Sequence, residues 1–136
     1  MSKEIPPIQK YMTCNPHFIT AEKTIIDAQD LMKKYSIRHL PVLHEGNIIG
    51  IISDRDLKLA MSLIQADSLV KVGYISHDHV YQVEPDSPID RVAQAMAEKH
   101  YGCAVVVQNN KLVGIFTTVD ACRALSDISR QKFHHN

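Results

Sequence analysis

Two heptapeptides carry the residue types best suited to chemistry. Gly50-Ile51-Ile52-Ser53-Asp54-Arg55-Asp56 and Gly114-Ile115-Phe116-Thr117-Thr118-Val119-Asp120 each run from an apolar stretch through a hydroxyl to a carboxylate three residues on. At the start of a helix, Ser/Thr-x-x-Asp can satisfy itself as a capping box. The hydroxyl accepts from the backbone N–H of the acid, and the acid reaches back to the N–H of the hydroxyl residue. The same geometry can serve a ligand. A helix N-terminus offers unpaired N–H groups and a partial positive charge, which suit a phosphate. The hydroxyl can donate to a phosphate oxygen, and the carboxylate can accept from the two hydroxyls of a ribose, as acids do in dinucleotide folds. Arg55 adds a charge for a phosphate. Its counterpart is Val119, so the two candidate sites differ.

Other reactive residue types are less organised. Of the eight histidines, His77 and His79 share one face of an extended segment. His134 and His135 are adjacent near the end of the chain. Neither pair belongs to an HExxH or a Cys/His zinc spacing, and both read as solvated surface; no metal site is expected. Cys103 reads as a small core residue rather than a redox sensor. Cys14 and Cys122 carry no motif. GxSxG, GxxxxGK[ST] and GxGxxG are all missing from the sequence, so an enzyme is not expected.

The two heptapeptides sit in a repeat. A shift of 64 residues aligns the halves without a gap from about Pro16 to Met61: Ile25 falls on Ile89, Met32 on Met96, Val42 on Val106, Gly50 on Gly114 and Asp56 on Asp120. Each half reads β-α-β-β-α. Short strands are expected at Phe18–Thr20 and Val80–Glu84. Helical spacing follows in Ile25, Ala28, Leu31 and Met32, and in Ile89, Val92, Ala95 and Met96. Pro88 suits a first helical turn. Hairpins should join His39–Leu43 to Ile48–Ile52 and Cys103–Val107 to Leu112–Phe116, through Glu45-Gly46-Asn47 and Asn109-Asn110. Pro41 suggests an edge strand or a strand start. Closing helices begin near Asp54 and Val119, the first with Leu57, Ala60, Met61 and Ile64 on one face. The expected organisation is residues 8–64 and 72–128 as the two repeats, residues 1–7 as a lead, and residues 129–136 as a tail. The chain from Ser126 onward reads as frayed.

Composition narrows the function classes. With 136 residues and 45% hydrophobic side chains the chain can bury a core, although a single repeat would be marginal alone. Fifteen basic and fifteen acidic residues give a formal net charge of zero, which argues against a broad nucleic-acid-binding surface. No apolar run approaches the ~18 residues of a membrane span, and the first ten residues lack the apolar stretch of a signal peptide. Three cysteines without a CxxC pair fit a reducing cytoplasm.

The ordered, duplicated set of motifs resembles a pair of CBS domains, a Bateman module. It comprises the β-α-β-β-α tandem, the His39-Leu40-Pro41-Val42 strand, the Gly-to-Asp corners and the lead-in Ile8-Gln9-Lys10-Tyr11-Met12 with Pro16. The resemblance implies an α/β (α+β) fold of two repeats packed as one pseudo-twofold module. It also implies a regulatory role: binding AMP, ADP, ATP or S-adenosylmethionine between the repeats, with no cofactor required. Asp56 and Asp120 match the ribose acids, and Ser53 and Thr117 the phosphate-facing hydroxyls. Ile37, Arg38 and His39, and Tyr101, Gly102 and Cys103, match the segments that meet adenine. Asn15, Thr20, His79 and Glu84 match positions that line the pockets. One implied pocket combines Ile37–His39 with Thr117 and Asp120. The other combines Tyr101–Cys103 with Ser53, Arg55 and Asp56, and is better equipped because of Arg55 and the small Gly102. The resemblance further implies a homodimer, a disc of four repeats, that shifts conformation on binding to control a partner protein. The alternative is a ligand-free interaction or dimerisation module.

Overall fold

The computed structural model describes residues 4–64 and 69–133. Residues 65–68, part of the stretch 65–75 expected to link the repeats, the side chain of Ile64, and His134 and His135 lie outside the described residues. The strands are β1 (Thr13–Cys14), β2 (Ile19–Thr20), β3 (His39–His44), β4 (Asn47–Ser53), β5 (Gln82–Val83), β6 (Cys103–Gln108) and β7 (Lys111–Thr117). The helices are α1 (Ile25–Tyr35), α2 (Asp54–Ile64), α3 (Val72–Ile75), α4 (Ile89–Lys99) and α5 (Thr118–Lys132), with a 3-10 turn at Ile8–Lys10.

Local sequence explains the element ends. Thr24 caps α1: the Asp27 N–H donates to its hydroxyl, and its own N–H donates to the Asp27 carboxylate. This is a third capping box in the chain. Ser36 and His100 close α1 and α4 in the left-handed conformation. Both hairpins turn on two residues of positive φ, Glu45-Gly46 and Asn109-Asn110, the geometry that matches strand twist. Pro88 occupies the position just before α4 in an extended conformation and makes no side-chain capping bond. The tail is more ordered than its composition suggests, because α5 continues through Ser126 to Lys132. Tyr11 donates its phenol proton to Asp127 on this extension.

The chain forms two compact units. One comprises His17–Val80, the other Met1–Pro16 with Tyr81–Asn136. The lead-in of each repeat therefore packs with the body of the other. In the first unit the sheet order is β2-β3-β4, and His77 forms a bridge to Ile51 through two backbone bonds of 2.9 Å. In the second unit the order is β1-β7-β6-β5, and Thr13 pairs with Ile115. These are equivalent positions, because Thr13 and His77, and Ile51 and Ile115, are each separated by the repeat's shift of 64 residues. Val72 is buried in the core of the first unit with Ile25, Leu40, Val42 and Ile52. Its counterpart Ile8 is buried in the core of the second with Val92, Ala104, Val106 and Phe116.

Pro41 lies in the central strand of its sheet rather than at an edge. Its cross-strand partner Ile51 spends both backbone groups on His77, so no ladder bond runs from Ile51 to Pro41. On the other side, β2 pairs only with Val42 and Leu43. The counterpart Val105 does donate its N–H, to the Tyr81 carbonyl at 2.8 Å. Pro41 is tolerated because the first sheet lacks that one bond.

Gly50 fixes how closely the lead-in approaches. A Cβ there would lie 2.7 Å from Ser76 Oγ and 2.8 Å from the His77 carbonyl oxygen. Gly50→Ala should therefore cost about 1–3 kcal/mol through overpacking. It should also raise hydrogen exchange at the Ile51 and His77 amides. An unchanged urea midpoint would contradict this docking of the segment on β4.

Candidate functional site

Each unit builds one hydroxyl–acid corner where its last long strand enters a helix. In the first unit the Ser53 N–H donates to Asp56 Oδ2 at 3.0 Å, and the Asp56 N–H donates to Ser53 Oγ at 3.1 Å. In the second the Thr117 N–H donates to Asp120 Oδ2 at 3.0 Å, and the Asp120 N–H donates to Thr117 Oγ1 at 3.3 Å. Both are capping boxes. A hydroxyl that accepts one bond still has its own proton to donate, and that of Thr117 goes to Asp120 Oδ2 at 3.2 Å.

The start of the preceding strand closes each corner from the side. His39 lies opposite Ser53, and Cys103 opposite Thr117. The Asp54 N–H donates to the Arg38 carbonyl at 2.8 Å, and the Thr118 N–H to the Gly102 carbonyl at 3.3 Å. Ile37 and Tyr101 both bond back to the helix before them, at the carbonyls of Met32 and Met96. Each unit thus assembles the strand-start triplet and the hydroxyl–acid pair of the same repeat. Ile37–His39 belong to one unit, and Thr117 and Asp120 to the other. Likewise Tyr101–Cys103 and Ser53, Arg55 and Asp56 belong to different units.

The lead-in adds a partner that sequence reasoning left on the surface. His77 Nε2 lies 3.0 Å from Asp56 Oδ1. The equivalent Thr13 hydroxyl donates to both Asp120 oxygens at 3.3 Å, and Arg123 Nη1 adds a bond of 3.1 Å to Oδ1. The useful signal was the repeat itself, because Thr13 and His77 are 64 residues apart, as are the two acids. Tyr81 was also missed; its ring stacks on Tyr101 with centroids 5.1 Å apart.

The two corners differ electrostatically. Partial burial resists ionisation of Asp56, but the Ser53 and His77 hydrogen bonds outweigh it and hold the carboxyl below its usual value. His39 is half-buried. Desolvation, aided by Arg38, keeps it below the ordinary histidine value against the pull of Asp56 and Asp54. In the second unit Asp120 is only 4% exposed. Burial pushes the Cys103 thiol up to about 12, so this cysteine is a packing residue and not a thiolate. Arg55 and its counterpart Val119 are both exposed on the first turns of their helices.

The remaining expected residues lie elsewhere. Thr20 pairs with Leu43, toward the far end of β3 from His39. Glu84 is exposed and helps line a shallow pocket of about 350 Å³ with Gln9, Asp86 and Asn109, at the hairpin end of β6. Asn15 follows β1 with a positive φ, and its N–H donates to the Val113 carbonyl. His79 is exposed. No helix among the described residues is long and apolar enough to cross a membrane.

The sequence model of the CBS domain matches residues 8–63 and again residues 72–127. The chain belongs to the CBS-domain family. Its α+β fold is that of a CBS pair. CBS domain-containing protein YhcV of Bacillus subtilis is 26% identical over 137 residues, covering 93% of this chain and 98% of that protein. The crystal structure of the CBS domain pair of MJ0100, in complex with 5′-methylthioadenosine and S-adenosyl-L-methionine, matches with a TM-score of 0.80. It is 25% identical and covers 91% of this chain and 98% of that one. The structure of CBSX2 in complex with AMP matches with a TM-score of 0.78 at 25% identity, covering 92% and 99%.

Proposed function

We propose that this CBS pair is a regulatory module that binds an adenosyl ligand. Asp56 and Asp120 would accept the ribose hydroxyls, with Ser53 and Thr117 toward the phosphate and the Ile37–His39 and Tyr101–Cys103 segments toward the base. Asn15 and Thr20 would line the wider site, and Arg55 would favour a phosphate at its corner. One observation carries the reading: a hydroxyl–acid corner at a helix N-terminus occurs twice, at equivalent positions. That a CBS pair of similar fold holds AMP, and another S-adenosylmethionine, supports it. The proposal extends to a cytoplasmic homodimer in which ligand shifts the populations of two conformations and so alters a partner's binding surface. Three free cysteines, two of them exposed, are compatible with a reducing compartment.

The test is a thermal-shift panel of AMP, ADP, ATP, S-adenosylmethionine, 5′-methylthioadenosine and NAD. A ligand at about 100 times its dissociation constant should add about 2.7 kcal/mol per site, a rise of several degrees in Tm. Flat curves across the panel for a folded protein would overturn the reading. They would favour the ligand-free interaction module, in which both acids serve only their present protein partners.

A further inference from the structure

The two corners differ in how much of each carboxylate the protein itself uses. An ionised carboxylate offers about four acceptor positions. At Asp120 four protons are aimed at them. The Thr117 N–H and hydroxyl both donate to Oδ2, at 3.0 and 3.2 Å. Arg123 Nη1 donates to Oδ1 at 3.1 Å, and the Thr13 hydroxyl lies 3.3 Å from both oxygens. The Asp120 side chain is only 5% exposed. At Asp56 the described residues supply two contacts, the Ser53 N–H on Oδ2 and His77 Nε2 on Oδ1. The Asp56 side chain is 21% exposed. The position of Arg123 is held in the first repeat by Leu59, an apolar side chain with no proton to donate.

We infer that the two acids are unequal sites: the first corner accepts a ribose as it stands, and the second is held back by Arg123, a positioning residue that with Thr13 closes over Asp120. This rests on the reading of both residues as ribose acids, and it ranks them. A ribose brings two hydroxyl protons. Asp56 has acceptor positions left for both, so no protein bond is lost. At Asp120 two of the four donors must give way first, and each bond to a carboxylate that is given up subtracts from binding.

Arg123 is the donor able to leave altogether. Its side chain is 68% exposed and can swing into solvent without unpacking the core. The other donors are tied to the backbone of the unit. Thr13 is paired with Ile115 in the sheet, and Thr117 is the N-cap of α5. Their hydroxyls can turn, but the side chains stay over the carboxylate. Removing Arg123 should therefore open the second corner, whereas the first, with Leu59 at that position, needs no such release.

The experiment is calorimetric titration of the whole chain with adenosine. Adenosine has no phosphate, so the charge of Arg55 does not by itself favour the first corner. The wild-type protein should show one tight site and a second at least about tenfold weaker, the cost of the bonds given up at Asp120. Asp56→Asn should remove the tight site. Arg123→Leu, which installs the residue of the other repeat, should strengthen the weak site several-fold or bring it into range, a gain that a purely structural role would not give. Arg123→Lys, which keeps a cation within reach, should leave it weak. Two equal sites in the wild type, a tight site that survives Asp56→Asn, or a weak site unmoved by Arg123→Leu would overturn the inference and leave the ribose-acid reading standing. No adenosine binding by any of these proteins would overturn both.

Discussion

Phe116→Ala should destabilise the protein by about 3–5 kcal/mol, a large share of the ~5–15 kcal/mol that holds a typical domain together. Phe116 is fully buried, and its cross-strand partner is Ala104, also fully buried. The equivalent pair in the first unit is Leu40 opposite Ile52. The two cores divide the same space differently, as one large and one small side chain against two of middle size. Truncating Phe116 therefore leaves a void beside an alanine that cannot fill it. Swaps between the two units give a sharper expectation. Phe116→Ile alone should be destabilising, and Ala104→Leu alone should overpack by about 1–3 kcal/mol. The double variant reproduces the pairing of the first unit and should lie well above the sum of the singles, since contacting residues are not additive. Urea midpoints of the four proteins would decide it, and simple additivity would contradict the compensating-volume account.

Much of the architecture was legible because local chemistry and tertiary packing agree. Glu45-Gly46 and Asn109-Asn110 tolerate positive φ, so both hairpins could be read directly. The Ser53 and Thr117 corners are capping boxes first, and the sequence pattern for that is short-range. The misreadings share one cause, which is that the deciding partner lies far along the chain. Pro41 sits in a central strand because the first sheet lacks the β2-side bond that Val105 makes to Tyr81 in the second. The end of α5 is secured in part by Tyr11, more than a hundred residues earlier. His77 is exposed, as its sequence context suggests, but its contact with Asp56 was not legible because that partner belongs to the body of the preceding repeat, onto which the lead-in folds back.

Asp120→Asn should separate capping from ligand recognition, because the two roles differ in size. The substituted amide keeps an oxygen for the Thr117 N–H, and the Thr13 hydroxyl can turn to accept. The bond to Arg123 loses its charge, but that side chain is 68% exposed, so solvent already weakens it. The apo protein should lose about 1 kcal/mol, as for other capping changes, and its Tm should fall by several degrees. A ribose meets a different loss, since hydrogen bonds to a carboxylate are worth about 1.5–3 kcal/mol. That corresponds to a roughly ten- to hundredfold weaker dissociation constant. At a ligand concentration that was 100 times the original dissociation constant, a hundredfold loss leaves only about 0.4 kcal/mol of stabilisation in place of 2.7. Each variant must therefore be compared with its own apo form, so that the ligand-induced shift is read apart from the lower baseline. Asp56→Asn tests the other corner, where the side chain is more exposed, at 21%, and the carboxylate is shared with His77. A ligand shift lost in Asp120→Asn and kept in Asp56→Asn assigns the working site to the second corner, and the reverse assigns it to the first. A shift kept at full size in both variants would exclude these carboxylates as the ribose acids, whatever the ligand.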